Sequence, residues 1–166
     1  HALCDNRDPR TGEQLTVSNR ESRRPLFDFT FSVPKSVAVM RGLFNDGRIE
    51  QAVMDSVNAV MEGVEAEMKT RVRRNGKDED RTVGNAVWLP FYHKTSRPVD
   101  GQIDVGDHVH ACLLNLCRDE KEDQWKAAQV GDIKASAPFW QAVWHADLAR
   151  RLQALGFETI RTSKAF

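Results

Sequence analysis

A strict alternation of apolar and polar positions runs through residues 27–33. The apolar positions are Phe27, Phe29, Phe31 and Val33, and the polar ones between them are Asp28, Thr30 and Ser32. A period of two is typical of a β-strand with one buried face, because successive side chains point to opposite sides of a sheet. The pattern therefore predicts a strand whose second face is small, polar and suited to a wet site. Residues 1–25 are polar and contain two turn signals, which favours a loop.

Helical spacing follows this strand in two segments. Between Pro34 and Phe44 apolar residues recur at helical intervals, and Pro34 suits a first turn because its missing N–H costs little there. A longer stretch from Ile49 to Met68 carries apolar residues three and four positions apart, which predicts a helix with one buried face. We place the basic run Lys69–Arg74 in the last turn of this helix, where cations complement the helix dipole. Contact with nucleic acid is the less favoured use of that run.

The second half of the chain predicts further strands and a final helix. Residues 76–84 are charged and contain glycine, which favours a loop. Residues 86–93 and 108–116 each predict a strand, with a loop over 94–107, and residues 124–127 predict a short strand. Ser136 is a candidate N-cap for a helix that ends at Gly156. The large apolar residues on one face of this helix are Trp140, Trp144, Leu148, Leu152 and Leu155.

Strands and helices in this order predict an α+β fold, an antiparallel β-sheet flanked by helices, in a single domain over residues 1–166. The 166 residues carry 24 Lys+Arg against 24 Asp+Glu and are 40% hydrophobic, which excludes a disordered or collagen-like chain. No apolar run is long enough to cross a bilayer, so we expect no membrane partner. The balanced charge argues against a generally nucleic-acid-binding surface but permits a local basic groove. The 3 cysteines lack paired spacing, which favours a reducing, cytoplasmic setting, and we interpret Cys112 as a buried, inert thiol.

Three of the 5 histidines fall close together along the predicted strands. His108 and His110 are two residues apart, so a strand places both imidazoles on one face. His93 ends the preceding strand, and a hairpin-like return would bring it beside them. Three neutral imidazoles suit a borderline divalent ion such as Zn²⁺, Ni²⁺, Mn²⁺ or Co²⁺ and leave coordination positions open for a substrate. The alternative is a pair that faces solvent or is satisfied by hydrogen bonds, and spacing alone favours neither interpretation.

Several longer motifs occur together in one order. The segments DPRTGEQL, FDFTFSVPKSV and HKTSR precede the HVH pair, and QWKA and FWQAVWHADLARRLQALGFE follow it. In this order they resemble the MobF-type conjugative relaxases (the TrwC/TraI family) of the HUH endonuclease superfamily, over nearly the whole chain. The resemblance implies an HUH fold and a metal-dependent enzyme that nicks and rejoins one strand of plasmid DNA at a transfer origin. In that family a tyrosine becomes covalently linked to the 5′ phosphate.

The resemblance also implies roles for individual residues. His93, His108 and His110 match the histidines that hold the family's divalent metal ion, which we leave open among Mg²⁺, Mn²⁺, Zn²⁺ and Ni²⁺. Asp28 matches an acidic residue near these histidines that orients an imidazole or helps to deprotonate the tyrosine. Tyr92 is the one tyrosine of the chain, and it should point away from the metal because neighbours on a strand face opposite sides. We therefore assign no nucleophile to this chain, and we expect an internal relaxase fragment, inactive alone, whose tyrosines lie upstream.

Candidate DNA contacts are Lys35 and Ser36 at the strand-to-helix junction and Arg97 in the HKTSR motif. Helix initiation explains Ser36 as well, and a salt bridge explains Arg97 equally well. The expected partners are single-stranded DNA at a transfer origin and other relaxosome and type IV secretion proteins, in the cytoplasm of a bacterium. The alternatives are a relaxase-like module that binds metal and single-stranded DNA without turnover, a structural metal protein without a DNA partner, and a nickase of the rolling-circle replication initiator type.

Overall fold

The computed structural model describes residues 1–18, 22–98 and 100–160. The strands in this part of the chain are β1 (Leu26–Ser32), β2 (Lys69–Arg74), β3 (Lys77–Thr82), β4 (Trp88–Thr95), β5 (Val105–Leu114), β6 (Cys117–Asp119), β7 (Gln124–Lys126) and β8 (Ala128–Gln129). The helices are α1 (Lys35–Phe44), α2 (Gly47–Ala66), α3 (Gly131–Ala135) and α4 (Ala137–Ala154). This mixture of strands and helices confirms the predicted α+β class. β6, β8 and α3 were not predicted from the sequence.

The described strands form three separate sheets. β1, β5 and β4 make one sheet in that order, so β5 lies between the other two. β3, β2 and β8 make a second sheet, in which β2 is antiparallel to both of its neighbours. β6 and β7 form an antiparallel pair. The predicted antiparallel sheet is thus present in the second sheet and in the β6–β7 pair.

The chain divides into two compact units, each assembled from separated segments. The first unit comprises His1–Thr30, Met61–Phe91 and His110–Ala137, and the second comprises Phe31–Val60, Tyr92–Val109 and Pro138–Phe166. Residues buried in the first unit include Met61, Val64, Met68, Val72, Leu113, Leu116 and Ile133. Residues buried in the second unit include Ile49, Val53, Val57, Val109, Leu148 and Leu152. A single domain over residues 1–166 stays a prediction.

Trp144 on α4 lies in the core of the second unit. Its ring meets Phe31 edge to face, with ring centroids 5.3 Å apart, and its Nε1–H donates to Ser56 Oγ at 2.9 Å. Ser56 Oγ donates in turn to the Val53 carbonyl oxygen at 2.7 Å, so the buried hydroxyl of α2 is satisfied. The predicted apolar face of the last helix is buried at Trp144, Leu148 and Leu152 and half-buried at Trp140 and Leu155.

The basic run Lys69–Arg74 is a strand, and its predicted place in a last helical turn is wrong. α2 ends at Ala66, and the run pairs with β3 across a turn at Asn75 and Gly76, whose φ angles are 50° and 78°. A two-residue Asn-Gly turn with both φ angles positive matches the twist of a hairpin and is a favoured connection. The loop predicted over residues 76–84 is therefore also wrong, because β3 occupies most of it.

Other boundaries differ from the prediction by a few residues. β4 and β5 begin two and three residues from the predicted starts, at Trp88 and Val105. Ser136 lies between α3 and α4. It is the C-cap of α3, where its Oγ donates to the Asp132 carbonyl oxygen at 2.7 Å, and it directly precedes Ala137, the first residue of α4, which is the N-cap position predicted for it. Residues 19–21 and 99, which fall in predicted loops, lie outside the described residues. None of the helices in the described part of the chain has the length and apolar character that a membrane span requires.

Candidate metal centre

The three clustered histidines and Asp28 lie on strands of one sheet. β5 carries His108 and His110, its neighbour β4 carries His93, and its other neighbour β1 carries Asp28. Alternation along β5 buries the residues on either side of each histidine and leaves the two imidazoles half-exposed. On β1 the predicted polar face is exposed at Asp28, Thr30 and Ser32, while Phe31 is buried. The period-two pattern of both strands therefore leaves these polar side chains accessible to a ligand.

His93, His108 and His110 form a cluster that fits a metal ion. Each offers one ring nitrogen, and these nitrogens all lie within 4.8 Å of one another. The rings of His93 and His108 meet edge to face, with centroids 5.0 Å apart and an interplanar angle of 77°. Three imidazole nitrogens are a ligand set that borderline divalent ions such as Zn²⁺ prefer, and the set leaves a coordination position open.

Hydrogen bonds fix the orientation of two of these rings. Nδ1 of His110 lies 2.7 Å from Asp28 Oδ2, and Nδ1 of His108 lies 2.8 Å from the Gly106 carbonyl oxygen. Because both partners are acceptors, each Nδ1 carries the proton and donates it, which places the coordinating lone pair on Nε2. Thr30 Oγ1 donates to the same Asp28 oxygen at 3.4 Å. Carboxylate and carbonyl partners of this kind orient metal-binding histidines and raise the basicity of the coordinating nitrogen.

The side chains that precede His93 and His108 meet in a second polar cluster. The Tyr92 hydroxyl donates to Asp107 Oδ2, and Arg41 on α1 donates to both carboxylate oxygens of Asp107, at 2.7 and 2.6 Å. Burial raises the pKa of Tyr92 well above its usual range, and the hydrogen bond to Asp107 adds to this effect. The hydrogen bond to Asp107 raises the pKa of Arg41. Sequence analysis did not predict this cluster. The available signal was strand alternation, which places Tyr92 and Asp107 on the face opposite His93 and His108.

Tyr92 and Asp107 are therefore hydrogen-bonded to each other and lie outside the three-histidine cluster. That Tyr92 is not the nucleophile stays a prediction. Asp104, the other acidic residue near the HVH pair, forms an ion pair with Lys35, and that partner lowers the pKa of the Asp104 carboxyl. Neither acid belongs to the three-histidine cluster.

The candidate DNA contacts are all exposed. Lys35 begins α1, and its Nζ donates to Asp104 and to the Val105 carbonyl oxygen. Ser36 is the next residue of α1, and Arg97 follows the end of β4. Cys112, expected to be buried, is half-buried on β5, and burial raises the pKa of its thiol. The fully buried thiol is that of Cys117.

The α+β fold and the three-histidine cluster define a protein with a candidate metal-binding site on a sheet. Comparison with known proteins is more specific, because the family model described as TrwC relaxase matches residues 1–166. The chain belongs to the TrwC relaxase family.

Relatives of known sequence and structure agree with this assignment. The multifunctional conjugation protein TraI of Escherichia coli is 34% identical over 145 residues, which are 82% of this chain and 8% of that protein. TraI of Escherichia coli strain K12 is 33% identical over 151 residues, which are 86% of this chain and 8% of that protein.

A metal-bound structure of conjugative relaxase TrwC in complex with oriT DNA matches with a TM-score of 0.87 and 30% identity, over 97% of this chain and 55% of that one. TrwC complexed with a 27-mer DNA that comprises the recognition hairpin and the cleavage site matches with a TM-score of 0.82 and 31% identity, over 93% of this chain and 54% of that one. The chain thus spans about half of the solved TrwC chains and a small part of TraI.

Proposed function

We propose that this chain is the metal-binding part of a conjugative relaxase that nicks and rejoins single-stranded DNA at a transfer origin by transesterification. The observation that carries the proposal is the three-histidine cluster with Asp28 hydrogen-bonded to His110. Family membership over residues 1–166 supports it, as does the likeness to TrwC structures that hold a metal ion and oriT DNA. The reaction exchanges one phosphodiester bond for another, so it needs no nucleotide cofactor.

The histidines would hold a divalent ion through Nε2 of His108 and His110 and one nitrogen of His93. Such an ion, when bound, polarises a phosphate and offsets the negative charge that gathers on its non-bridging oxygens during transesterification. Asp28 accepts the Nδ1 proton of His110 and holds that ring in place. The Gly106 carbonyl does the same for His108. Among Mg²⁺, Mn²⁺, Zn²⁺ and Ni²⁺, an all-imidazole donor set favours the transition metals.

Lys35, Ser36 and Arg97 are the residues to which we assign contacts with the DNA backbone. All three are exposed, and Lys35 and Arg97 carry the positive charge that phosphate contacts require. The ion pair of Lys35 with Asp104 is solvent-exposed on both sides, so a phosphate competes with a weak interaction. Other relaxosome and type IV secretion proteins, and a bacterial cytoplasmic location, belong to the same proposal.

One observation favours a second candidate function for the chain as it stands. Its one tyrosine, Tyr92, donates its hydroxyl to Asp107, and burial raises the pKa of this tyrosine, which opposes formation of a phenolate nucleophile. A module that binds metal and single-stranded DNA without turnover would need no such nucleophile.

Metal binding is the first test of the proposal. Titration of the metal-free chain with Co²⁺, followed by visible absorption, should give one site per chain in the wild type. His108→Ala/His110→Ala should lose that site. Asp104→Asn, which alters a nearby acid outside the cluster, serves as the control and should bind as the wild type does. A wild-type chain that takes up no Co²⁺, Zn²⁺, Ni²⁺ or Mn²⁺ would overturn the proposed metal centre.

DNA processing is tested with the metal-loaded chain and labelled single-stranded oligonucleotides that contain a transfer-origin nick site. Binding should weaken as salt concentration rises and should weaken further in Lys35→Ala and Arg97→Ala. Cleavage and strand exchange are tested with a chain extended upstream, where the tyrosines are predicted to lie. Both reactions in the presence of metal would support the relaxase, whereas tight binding by the extended chain without either would support the module. Absence of salt-dependent binding would contradict both.

A further inference from the structure

Arg41, Tyr92 and Asp107 form a polar cluster, here called the Arg41 cluster, in the second compact unit. The Asp107 side chain is 1% exposed and the Arg41 side chain 12% exposed. Arg41 Nε and a terminal nitrogen hold the two carboxylate oxygens at 2.7 and 2.6 Å, in the bidentate geometry that gives an Arg–carboxylate pair its directional strength. The Tyr92 hydroxyl adds a third donor to the same carboxylate.

This cluster holds the backbone on both sides of His93 and directly before His108. Tyr92 and Lys94 flank His93, and Arg41 donates to the Lys94 carbonyl oxygen at 3.3 Å in addition to its bonds with Asp107. Asp107 directly precedes His108, and its own carbonyl oxygen accepts from Val33 N–H at 2.9 Å. One guanidinium therefore links the segments that carry two of the histidines, whose rings lie 5.0 Å apart.

A buried ion pair adds little to stability but fixes the relative position of the groups that it joins. The free energy needed to remove two charges from water nearly offsets their attraction, so apolar side chains of similar volume often stabilise a fold better. Apolar contacts are not directional, whereas a bidentate ion pair fixes both the distance and the angle between its partners. Metal sites need that precision, since ligands must lie within a few tenths of an ångström of their ideal places.

We infer that the Arg41 cluster is a positioning device for the metal centre, which fixes the spacing of His93 and His108 from the opposite face of their strands. Its members touch neither metal nor DNA and act through the histidines next to them in the chain. The inference rests on the metal centre proposed above and adds three residues to it.

The decisive variants separate position from stability. Asp107→Asn keeps the side chain's size but removes the charge that Arg41 holds, and Tyr92→Phe removes one hydroxyl. Arg41→Met/Tyr92→Phe/Asp107→Leu replaces the whole cluster with apolar groups. We expect Asp107→Asn to weaken Co²⁺ binding about tenfold, at the lower end of the loss found when a group that orients a metal ligand is removed. Tyr92→Phe should act in the same direction by less.

The triple variant makes the test independent of folding. Its urea midpoint should equal or exceed that of Asp107→Asn, because no charge is left buried without a partner, yet its Co²⁺ affinity should stay about tenfold below wild type. A role in stability alone predicts the reverse, with affinity recovering together with the midpoint. Asp119→Asn is the matched control, since Asp119 is also fully buried and held by two cations but has no histidine beside it in the chain.

A second measurement uses the metal-free chain, so that this inference and the proposed function fail separately. Nuclear Overhauser contacts between the rings of His93 and His108 should be present in the wild type and in Asp119→Asn, and weakened in Asp107→Asn and in the triple variant. Unchanged contacts and unchanged Co²⁺ affinity in those two variants would overturn the inference. A wild type that shows the ring contacts but binds no metal would overturn the proposed function. The positioning inference would then stand or fall on whether the ring contacts weaken in Asp107→Asn and in the triple variant.

Discussion

The hydrogen bond between Asp28 and His110 orients one histidine of the proposed metal centre. At 2.7 Å it fixes the tautomer and rotation of His110. Asp28→Ala removes this acceptor, and we expect metal affinity to fall about tenfold or more. Ser32→Ala, on the same exposed face of β1, is the matched control and should bind as the wild type does. Competition with a chelating dye measures both, and an Asp28→Ala chain of undiminished affinity would show that His110 needs no such partner.

Gly106 supplies the second orienting contact, and its lack of a side chain is structurally required. A Cβ at this position would lie 2.9 Å from Ser96 Cβ and 3.1 Å from Ser96 N, while the Gly106 carbonyl oxygen accepts from His108. Gly106→Ala must therefore shift the backbone that holds His108. We expect a loss of about 1–3 kcal/mol in the free energy of unfolding, as for overpacked sites, together with weaker metal binding.

Gly47→Ala provides the comparison for Gly106→Ala, because a Cβ there meets nothing within 4 Å. At the start of α2 it should be neutral or stabilising by up to about 1 kcal/mol. Urea unfolding and Co²⁺ titration of both variants check the pair of outcomes. Equal behaviour of the two glycine variants would contradict the packing argument.

Single residues also show what the sequence can and cannot predict. The alternation of β1 and the HVH spacing predict that Asp28, His108 and His110 occupy the accessible faces of their strands, because burial of one face fixes the direction of every side chain. The Arg41 cluster was missed because Arg41 and Asp107 are 66 positions apart. Their pairing depends on how α1 packs against the sheet, which no local pattern encodes.

At the scale of elements, the β2–β3 hairpin shows how a misleading signal can be corrected. Cations after a long amphipathic helix are typical of its last turn, yet Asn75-Gly76 between two short charged runs is a stronger signal for a hairpin. The register places Arg71 opposite Asp80 and Arg73 opposite Asp78, so the charges of both strands serve cross-strand pairing. When the basic residues before Asn75-Gly76 are matched with the acidic residues after it, rather than considered alone, the sequence predicts the hairpin.

The β6–β7 pair carries a buried ion cluster that makes the first unit sensitive to acid. Asp119 is fully buried, with Arg81 at 2.7 Å and Lys126 at 2.9 Å. Burial alone would raise the pKa of Asp119, but the two cations hold it at about 2, below its usual 3.8. Because the folded pKa is the lower one, the stabilisation is complete above pH 3.8 and is lost as the pH falls through 2.

Asp119→Asn should therefore cost about 3 kcal/mol of unfolding free energy near neutral pH, the lower end of the range for a broken buried pair, because Glu122 still pairs with both Arg81 and Lys126. The variant should also lose the part of the acid sensitivity that arises between pH 4 and 2. Asp132→Asn is the control, because Asp132 pairs with Lys69 at an exposed site and should cost less than about 1 kcal/mol. Urea unfolding at several pH values checks both, and parallel pH profiles for wild type and Asp119→Asn would contradict the assignment.

At the scale of the whole molecule, charge balance limits how this chain can bind DNA. With 24 basic and 24 acidic residues, no general attraction draws it to phosphate, so the proposed affinity for DNA would have to come from local groups and from the proposed metal centre. Many of the basic residues are already engaged in ion pairs, as Arg41, Arg81, Lys69 and Lys126 are. The composition of the sequence shows that basic and acidic residues are equal in number, but it does not show which cations are left outside ion pairs and so available to DNA.

Metal binding should accordingly appear in the stability of the whole chain. A ligand that binds only the folded state at about 100 times its Kd adds about 2.7 kcal/mol, which for a chain of this size raises Tm by about 5–10 °C. We expect that shift with Zn²⁺ or Ni²⁺ in the wild type, and none in His108→Ala/His110→Ala. Ca²⁺, which prefers oxygen ligands, should shift neither chain. Calorimetry measures these shifts in Tm. An equal shift in the double variant would show that the ion binds at other groups, whereas loss of the shift would show that the stabilisation depends on the imidazoles of β5.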